Sequence, residues 1–141
     1  MSRLSHFDEA GQARMVDVSD KPVTVRTARA EAFVRMKAAV LDALPDNPKG
    51  NPLEVARVAG ILAAKRTPEL IPMCHPLAIT HADVQVRVEA RGVRIEASVS
   101  TAAQTGVEME ALTAAAVAAL TVYDMTKALD KSITIERIRL L

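Results

Sequence analysis

Aromatic residues are nearly missing from this chain: two Phe, one Tyr and no Trp in 141 residues. Stacking platforms for single-stranded nucleic acid are therefore excluded, and any core must be aliphatic. There is one cysteine, Cys74, so no internal disulfide can form, and a reducing, cytoplasmic setting is expected. Excess charge is also lacking. The formal net charge of +1 is too balanced for a generic nucleic-acid binder. Long apolar runs are absent too. The longest uncharged stretch of note, Ala111–Tyr123, has 13 residues, short of the roughly 20 that span a bilayer. The N-terminus, MSRLSHFDEAG, has no apolar segment of the kind a signal peptide needs. No nucleic-acid partner and no membrane association are expected.

What the chain does have is aliphatic residues in abundance: 50% of positions are hydrophobic, enough for one domain with a sizeable core. Residues 1–12 are polar and read as a flexible N-terminal segment. Ala13–Ser19 alternates and reads as a short strand or arm. Val23–Phe33 alternates more strictly, with Val23, Val25, Thr27 and Arg29 on one face and Thr24, Arg26, Ala28 and Ala30 on the other, so a strand is predicted. Val34–Leu44 has the spacing of a short amphipathic helix. Residues 45–52, with Pro45, Pro48, Gly50 and Pro52, form a loop, and Leu53–Arg66 a helix opened by Pro52. Three prolines between Thr67 and Ala78 exclude a regular helix or central strand there. His81–Ala90 and Val93–Ser100 alternate across Arg91-Gly92 as a hairpin. Ser132–Leu140 is a closing strand.

Between hairpin and last strand lies Thr105–Lys127, rich in Ala and Leu and opened by Thr105 as a candidate cap. A helix over this span would be roughly 32–35 Å long. The resulting order predicts an α+β fold: a ferredoxin-like βαββαβ arrangement over residues 13–141, an antiparallel sheet with helices on one face.

Chemistry-bearing residues collect in four places. Lys49 precedes Gly50 in the loop before a helix, which suits an anion; the plain alternative is a solvated lysine. Lys65 and Arg66 end that helix, where cations also simply complement the helix dipole. Met73-Cys74-His75 sits between Pro72 and Pro76 on a rigid backbone that suits a general acid or base; a buried Cys with a hydrogen-bonded loop His is the alternative. A Cys nucleophile would need an activating environment. His6 and His81 have no metal-motif spacing to this pair, and no metal site is expected. Finally, the long helix is loaded at its ends. Glu108 and Glu110 lie in its first turn, and Asp124 and Lys127 lie three apart in its last. Each pair also has an ordinary reading, as dipole complement and as surface ion pair. Asp124 follows a long uncharged run, so a desolvated position is expected for it. Glu110 and Asp124 fall within roughly 40° around the helix axis but roughly 21 Å apart along it. One compact site cannot use both from one straight helix, which suggests a site shared between subunits.

Three strings together resemble one family: HFDEAGQARMVDVSDKPVTVRTARAEAFVRM, VARVAGILAAKRTPELIPMCHPL and TGVEMEALTAAAVAALTVYDMTKA are similar to cyclic pyranopterin monophosphate synthases, the MoaC family of molybdenum cofactor biosynthesis. The resemblance covers about His6 to Leu141. It implies a homohexamer, a trimer of dimers, whose small-molecule substrate is the GTP-derived 3′,8-cyclo-7,8-dihydro-GTP. The product is cyclic pyranopterin monophosphate, with pyrophosphate released. It implies no resident cofactor and leaves open a divalent ion travelling with the triphosphate. By matching position, Asp124 is the designated acid/base, and Lys127 and Lys49 are catalytic lysines. Met73, Cys74 and His75 match one substrate-binding segment, Met109 and Glu110 another. Glu108, Lys65 and Arg26 match further pocket positions. His75 joins Asp124, Lys127 and Lys49 as a suitable proton donor or acceptor. Members often have Cys where this chain has Thr126, and some have Lys where it has Gln104, so neither a thiol nor an ammonium can act at those positions. Two rival readings follow from the residues alone: a nucleotide-binding module without turnover, and an assembly scaffold built on the Ala-rich helix.

Overall fold

The computed structural model describes residues 5–141. In chain order the elements are β1 (Thr24–Arg35), α1 (Ala38–Ala43), a single 3-10 turn (Leu44–Asp46), α2 (Pro52–Lys65), α3 (Thr67–Leu70), β2 (Ile79–Glu89), β3 (Gly92–Ala103), α4 (Glu108–Thr126) and β4 (Thr134–Leu140). The sheet runs β2-β3-β1-β4, and every neighbouring pair is antiparallel. The expected ferredoxin-like arrangement is what forms, with α2 and α4 packed on one face.

Alternation along β1 decides which face is covered. Ala28, Ala30, Ala32 and Val34 turn toward the helices and are buried. Their small size lets α4 approach closely with its own Ala111, Ala114, Ala115, Ala118 and Ala119, all fully buried. The same economy brings α2 against α4. A Cβ on Gly60 would stand 3.0 Å from the Ala114 carbonyl oxygen and 3.0 Å from a Val84 methyl, so a larger residue here would push the neighbours apart by a few tenths of an ångström. An Ala-rich core makes up in close packing what it lacks in side-chain area.

The opposite face of the sheet is polar. Glu31 there is 2% exposed. It accepts hydrogen bonds from Arg137 at 3.0 Å, and also from Arg94 and Arg139. Arg94 and Arg137 lie over the Phe33 ring, 6.0 and 5.5 Å from its centre.

Several boundaries differ from the sequence reading. Val34 and Arg35 remain in β1, because each is paired on both sides, to β3 and to β4. The helix expected from Val34 therefore shrinks to Ala38–Ala43. Ala13–Ser19 is not a strand. Only an isolated bridge, Phe7 to Ala13, occurs there, and the segment pairs with no strand of the sheet, so the arm reading holds. Among the three prolines, Pro68 is accommodated at the start of a one-turn helix, the position a missing N–H tolerates. The long helix starts later than expected. Val107 occupies the N-cap position and no side chain caps it, so Thr105 does not serve that role. With 19 residues, α4 is about 28 Å long. β4 begins at Thr134 rather than Ser132, because Ser132 turns back to bond Asp130 through its N–H (2.9 Å) and hydroxyl (2.8 Å). Of the flexible segment expected over residues 1–12, residues 1–4 lie outside the described part.

Candidate active site

Loop 45–51 folds under the last turn of α4. The carbonyls of a final helical turn have no partner within the helix, and this loop supplies two. Asn47 Nδ2 donates to the Met125 carbonyl at 2.7 Å, and Lys49 Nζ to that of Asp124 at 3.3 Å. The loop holds its own shape: Asn47 Oδ1 accepts from the Lys49 N–H at 2.9 Å, and Gly50 takes a φ of 105°, which favours glycine. Lys127 Nζ stands 2.9 Å from Asp124 Oδ1. Lys49, Asp124 and Lys127 thus form one cluster. The Lys127 hydrogen bond and charge hold the Asp124 carboxyl below its ordinary range, with Lys49 adding to the effect, and Asp124 in turn raises Lys127. Asp124 is not desolvated in this subunit: its side chain is 63% exposed. Its neighbours Val122, Met125 and Thr126 face the core instead. Thr126 is fully buried, with its hydroxyl donating to the Val122 carbonyl at 2.7 Å, so it serves the helix.

A second cluster surrounds the first turn of α4. Met73, Cys74 and His75 come in after α3 and face Glu108, Met109 and Glu110 across a cavity of about 320 Å³. Glu110 is 1% exposed. The Cys74 thiol donates to Glu110 Oε2 at 3.4 Å, and Oε1 has no partner among the described residues. Burial raises the Glu110 carboxyl, and the nearby charge of Glu108 adds to it. Burial, then the Glu110 charge and hydrogen bond, push the Cys74 thiol up to about 11. At neutral pH it is a thiol, so the environment deactivates Cys74 as a nucleophile. Larger hollows exist, such as one of about 640 Å³ beside Arg35, Lys37 and Arg91 that holds none of these groups, and one of about 360 Å³ whose wall includes only Glu108 of them.

The remaining candidates stand apart. Lys65, at the end of α2, is exposed and lines neither cluster. Arg66, next to it, is exposed as well. Arg26 lies partly buried near the start of β1, donates from Nε to the Ala103 carbonyl at 3.2 Å and is not in the cavity wall. Gln104 donates to the Ser19 carbonyl at 3.4 Å. Sequence reasoning missed the cavity's other wall. It is formed by the N-terminal arm through His6, Val16, Val18 and Lys21, and Val16 offers its carbonyl to His75 Nε2. The signal was weak: a lone lysine after a short alternating run that forms no strand.

Fourteen positions separate Glu110 from Asp124 on α4, about 21 Å along its axis. One cluster therefore offers a buried hydrogen-bond acceptor within a walled cavity. The other offers an ionised carboxylate with two ammonium groups, open to solvent.

The sequence profile of the MoaC family matches residues 15–141. The chain belongs to the MoaC family. Among its relatives, a protein of Parvibaculum lavamentivorans is 56% identical over 142 residues, which cover 98% of this chain and 89% of that one. One of Thermomicrobium roseum is 56% identical over 145 residues, 100% of this chain and 87% of the relative. One of Corynebacterium efficiens is 57% identical over 143 residues, 100% and 92% respectively. All three are named cyclic pyranopterin monophosphate synthase.

Proposed function

We propose that this chain is a cyclic pyranopterin monophosphate synthase of molybdenum cofactor biosynthesis, a lyase that turns 3′,8-cyclo-7,8-dihydro-GTP into cyclic pyranopterin monophosphate and pyrophosphate. The observation that carries the reading is near-full-length identity of 56–57% to relatives bearing that name. The geometry supports it. Rebuilding a guanine-derived ring into a pterin takes several proton transfers, and Asp124, Lys127, Lys49 and His75 are groups that hold or move protons. Asp124, kept ionised by Lys127, suits a base, and the paired ammonium an acid. The unpaired Oε1 of Glu110 suits an N–H edge of the guanine-derived ring. The chemistry runs on side-chain acids and bases without a resident cofactor, and any divalent ion arrives with the triphosphate.

The assembly in this reading is a homohexamer, a trimer of dimers, with Glu110 of one subunit and Asp124 of another completing each site. Two features support it. The clusters are too far apart on one α4 to share a small substrate. The outer helical face also leaves apolar side chains in water: Val55 at 42% exposed, Val58 at 47%, Leu62 at 49% and Leu120 at 57%. No helix among the described residues is long and apolar enough to cross a membrane. A cytoplasmic location fits the single free thiol.

Pyrophosphate release from 3′,8-cyclo-7,8-dihydro-GTP tests the reading. Turnover supports it. Tight binding of the nucleotide by an intact oligomer with no turnover would instead favour a binding module.

A further inference from the structure

The arm that walls the cavity contributes little to the core. Of residues 5–22, all are exposed except Asp8, Val16 and Val18, which are half-buried. It nevertheless has a defined shape. Asp8 Oδ1 accepts from the Ala10 and Gln12 N–H groups, both at 2.9 Å, and the Arg14 N–H donates to the His6 carbonyl at 2.7 Å. Two side-chain hydrogen bonds from the body reach the arm's main-chain carbonyls at the cavity rim. His75 Nε2 bonds the Val16 carbonyl, and Gln104 Nε2 donates to that of Ser19. A turn closed by the Lys21 N–H on the Val18 carbonyl, at 3.0 Å, then delivers Lys21 to the same cavity. A segment with so little buried surface, bonded at the cavity rim through His75 and Gln104, is placed for the cavity.

Its two contributions are chemically specific. A carbonyl has no proton to give, so the bond to Val16 requires the proton on His75 Nε2. In the neutral ring Nδ1 is then the bare nitrogen. Lys21 is the only lysine or arginine among the described residues of the cavity wall. Among the described residues it makes no ion pair, although Glu108 and Glu110 line the same cavity. An ammonium that faces a cavity and is not neutralised by that cavity's own carboxylates is available to an oxyanion of the ligand.

We propose that the N-terminal arm, residues 6–21, is a working wall of the active site: Lys21 binds phosphate oxygens of the substrate, and the Val16 carbonyl is the positioning group that leaves His75 Nδ1 as the proton-accepting atom. This rests on the cyclase reading above, and the pair of ligand features follows from it. A nucleotide carries both an N–H edge for Glu110 and oxyanions for Lys21.

The test uses the full chain. With 3′,8-cyclo-7,8-dihydro-GTP, Lys21→Ala raises KM about tenfold or more, the scale of one lost charge-assisted hydrogen bond, and changes kcat far less. Lys21→Arg recovers most of the loss, and neither variant shifts the thermal midpoint. A wild-type KM in Lys21→Ala, or a Lys21→Arg as impaired as Lys21→Ala, overturns the phosphate role. Nitrogen-15 NMR of labelled histidine in the wild-type protein reads the ring directly. In the neutral ring a proton on Nε2 is the expected result, and a proton on Nδ1 overturns the positioning role. A wild-type protein that never turns the substrate over defeats the cyclase reading instead, while the ring tautomer still decides the role of Val16.

Discussion

Lys49 and Asp124 are 75 positions apart in sequence, yet the Lys49 ammonium donates to the Asp124 main-chain oxygen at 3.3 Å. The contact fixes a lysine beside a carboxylate without consuming the carboxylate, which Lys127 engages separately at 2.9 Å. Loop and helix end are thereby built as one unit with two cations around one acid.

That unit sets the first prediction. Asp124→Asn and Lys127→Ala each lower kcat at least about 100-fold, the usual scale for a lost general acid or base. Both are exposed, so the thermal midpoint moves little. The pH profile separates their roles. Asp124 has a lowered pKa, so it is ionised at neutral pH and is protonated only below the ordinary aspartate range. The acid limb of kcat/KM should accordingly lie below that range in wild type. In the residual activity of Lys127→Ala, it should move up toward the ordinary value. An unmoved limb would remove Asp124 as the titrating base.

At the other end of α4, the Cys74 thiol is expected to titrate near 11. Glu110→Gln removes the neighbouring charge and the carboxylate acceptor, two of the three causes of that shift. Thiolate absorbance or the rate of alkylation against pH should then show the thiol falling toward the ordinary value of 9.0, without reaching it because burial remains. Identical titrations in the two proteins would show that Glu110 is not charged beside Cys74.

Much of this was readable in the chain, and what was not has identifiable causes. The alternation over Val23–Phe33 announced the strand and put Ala28 and Ala30 on one face, and packing shows that this is the covered one. The run from Thr105 to Lys127 announced the long helix, which forms over Glu108–Thr126 and packs on the sheet. The ends of elements were misplaced where tertiary pairing overrode local pattern: Val34 and Arg35 have helical spacing but lie between two partner strands. Asp124 looked desolvated because of the uncharged run before it. Which side of a helix is covered depends on neighbours that periodicity does not contain. Met73-Cys74-His75 and Glu108–Glu110 do meet. The arm's share of the cavity was unreadable, because Val16 acts through a main-chain carbonyl, which every residue has.

Glu31 provides a stability prediction. Burial alone would raise its pKa, but the hydrogen bonds and charges of Arg137 and Arg139 outweigh that and hold it low. A group with a lowered folded-state pKa contributes stability that is complete above the unfolded-state value and is lost as pH falls through the folded one. Glu31→Gln should cost about 2 kcal/mol at neutral pH. This is below the 3–5 typical of a broken buried pair, because the arginines remain partly in water. The difference between the two proteins, read by urea unfolding, should narrow below the ordinary glutamate range. A difference constant from neutral to acid pH would mean that shape rather than charge sets the role of Glu31.

The shared site gives the sharpest outcome. If Asp124 and Glu110 of the same subunit served one site, mixing two inactive variants would restore nothing. If they come from different subunits, a site in a mixed oligomer is intact when it takes Glu110 from an Asp124→Asn subunit and Asp124 from a Glu110→Gln subunit. Random mixing in equal amounts makes roughly one quarter of the sites whole, since each of the two contributing subunits is the right variant half the time. The two variants, unfolded together and refolded, should recover roughly that fraction of wild-type pyrophosphate release, against near zero for either alone. The recovery should require exchange of subunits, so mixing the assembled oligomers without unfolding should give much less. No recovery from co-refolded mixtures, with oligomers of normal size, would place both halves of the site within one subunit and would require the substrate or the protein to bridge α4 from end to end.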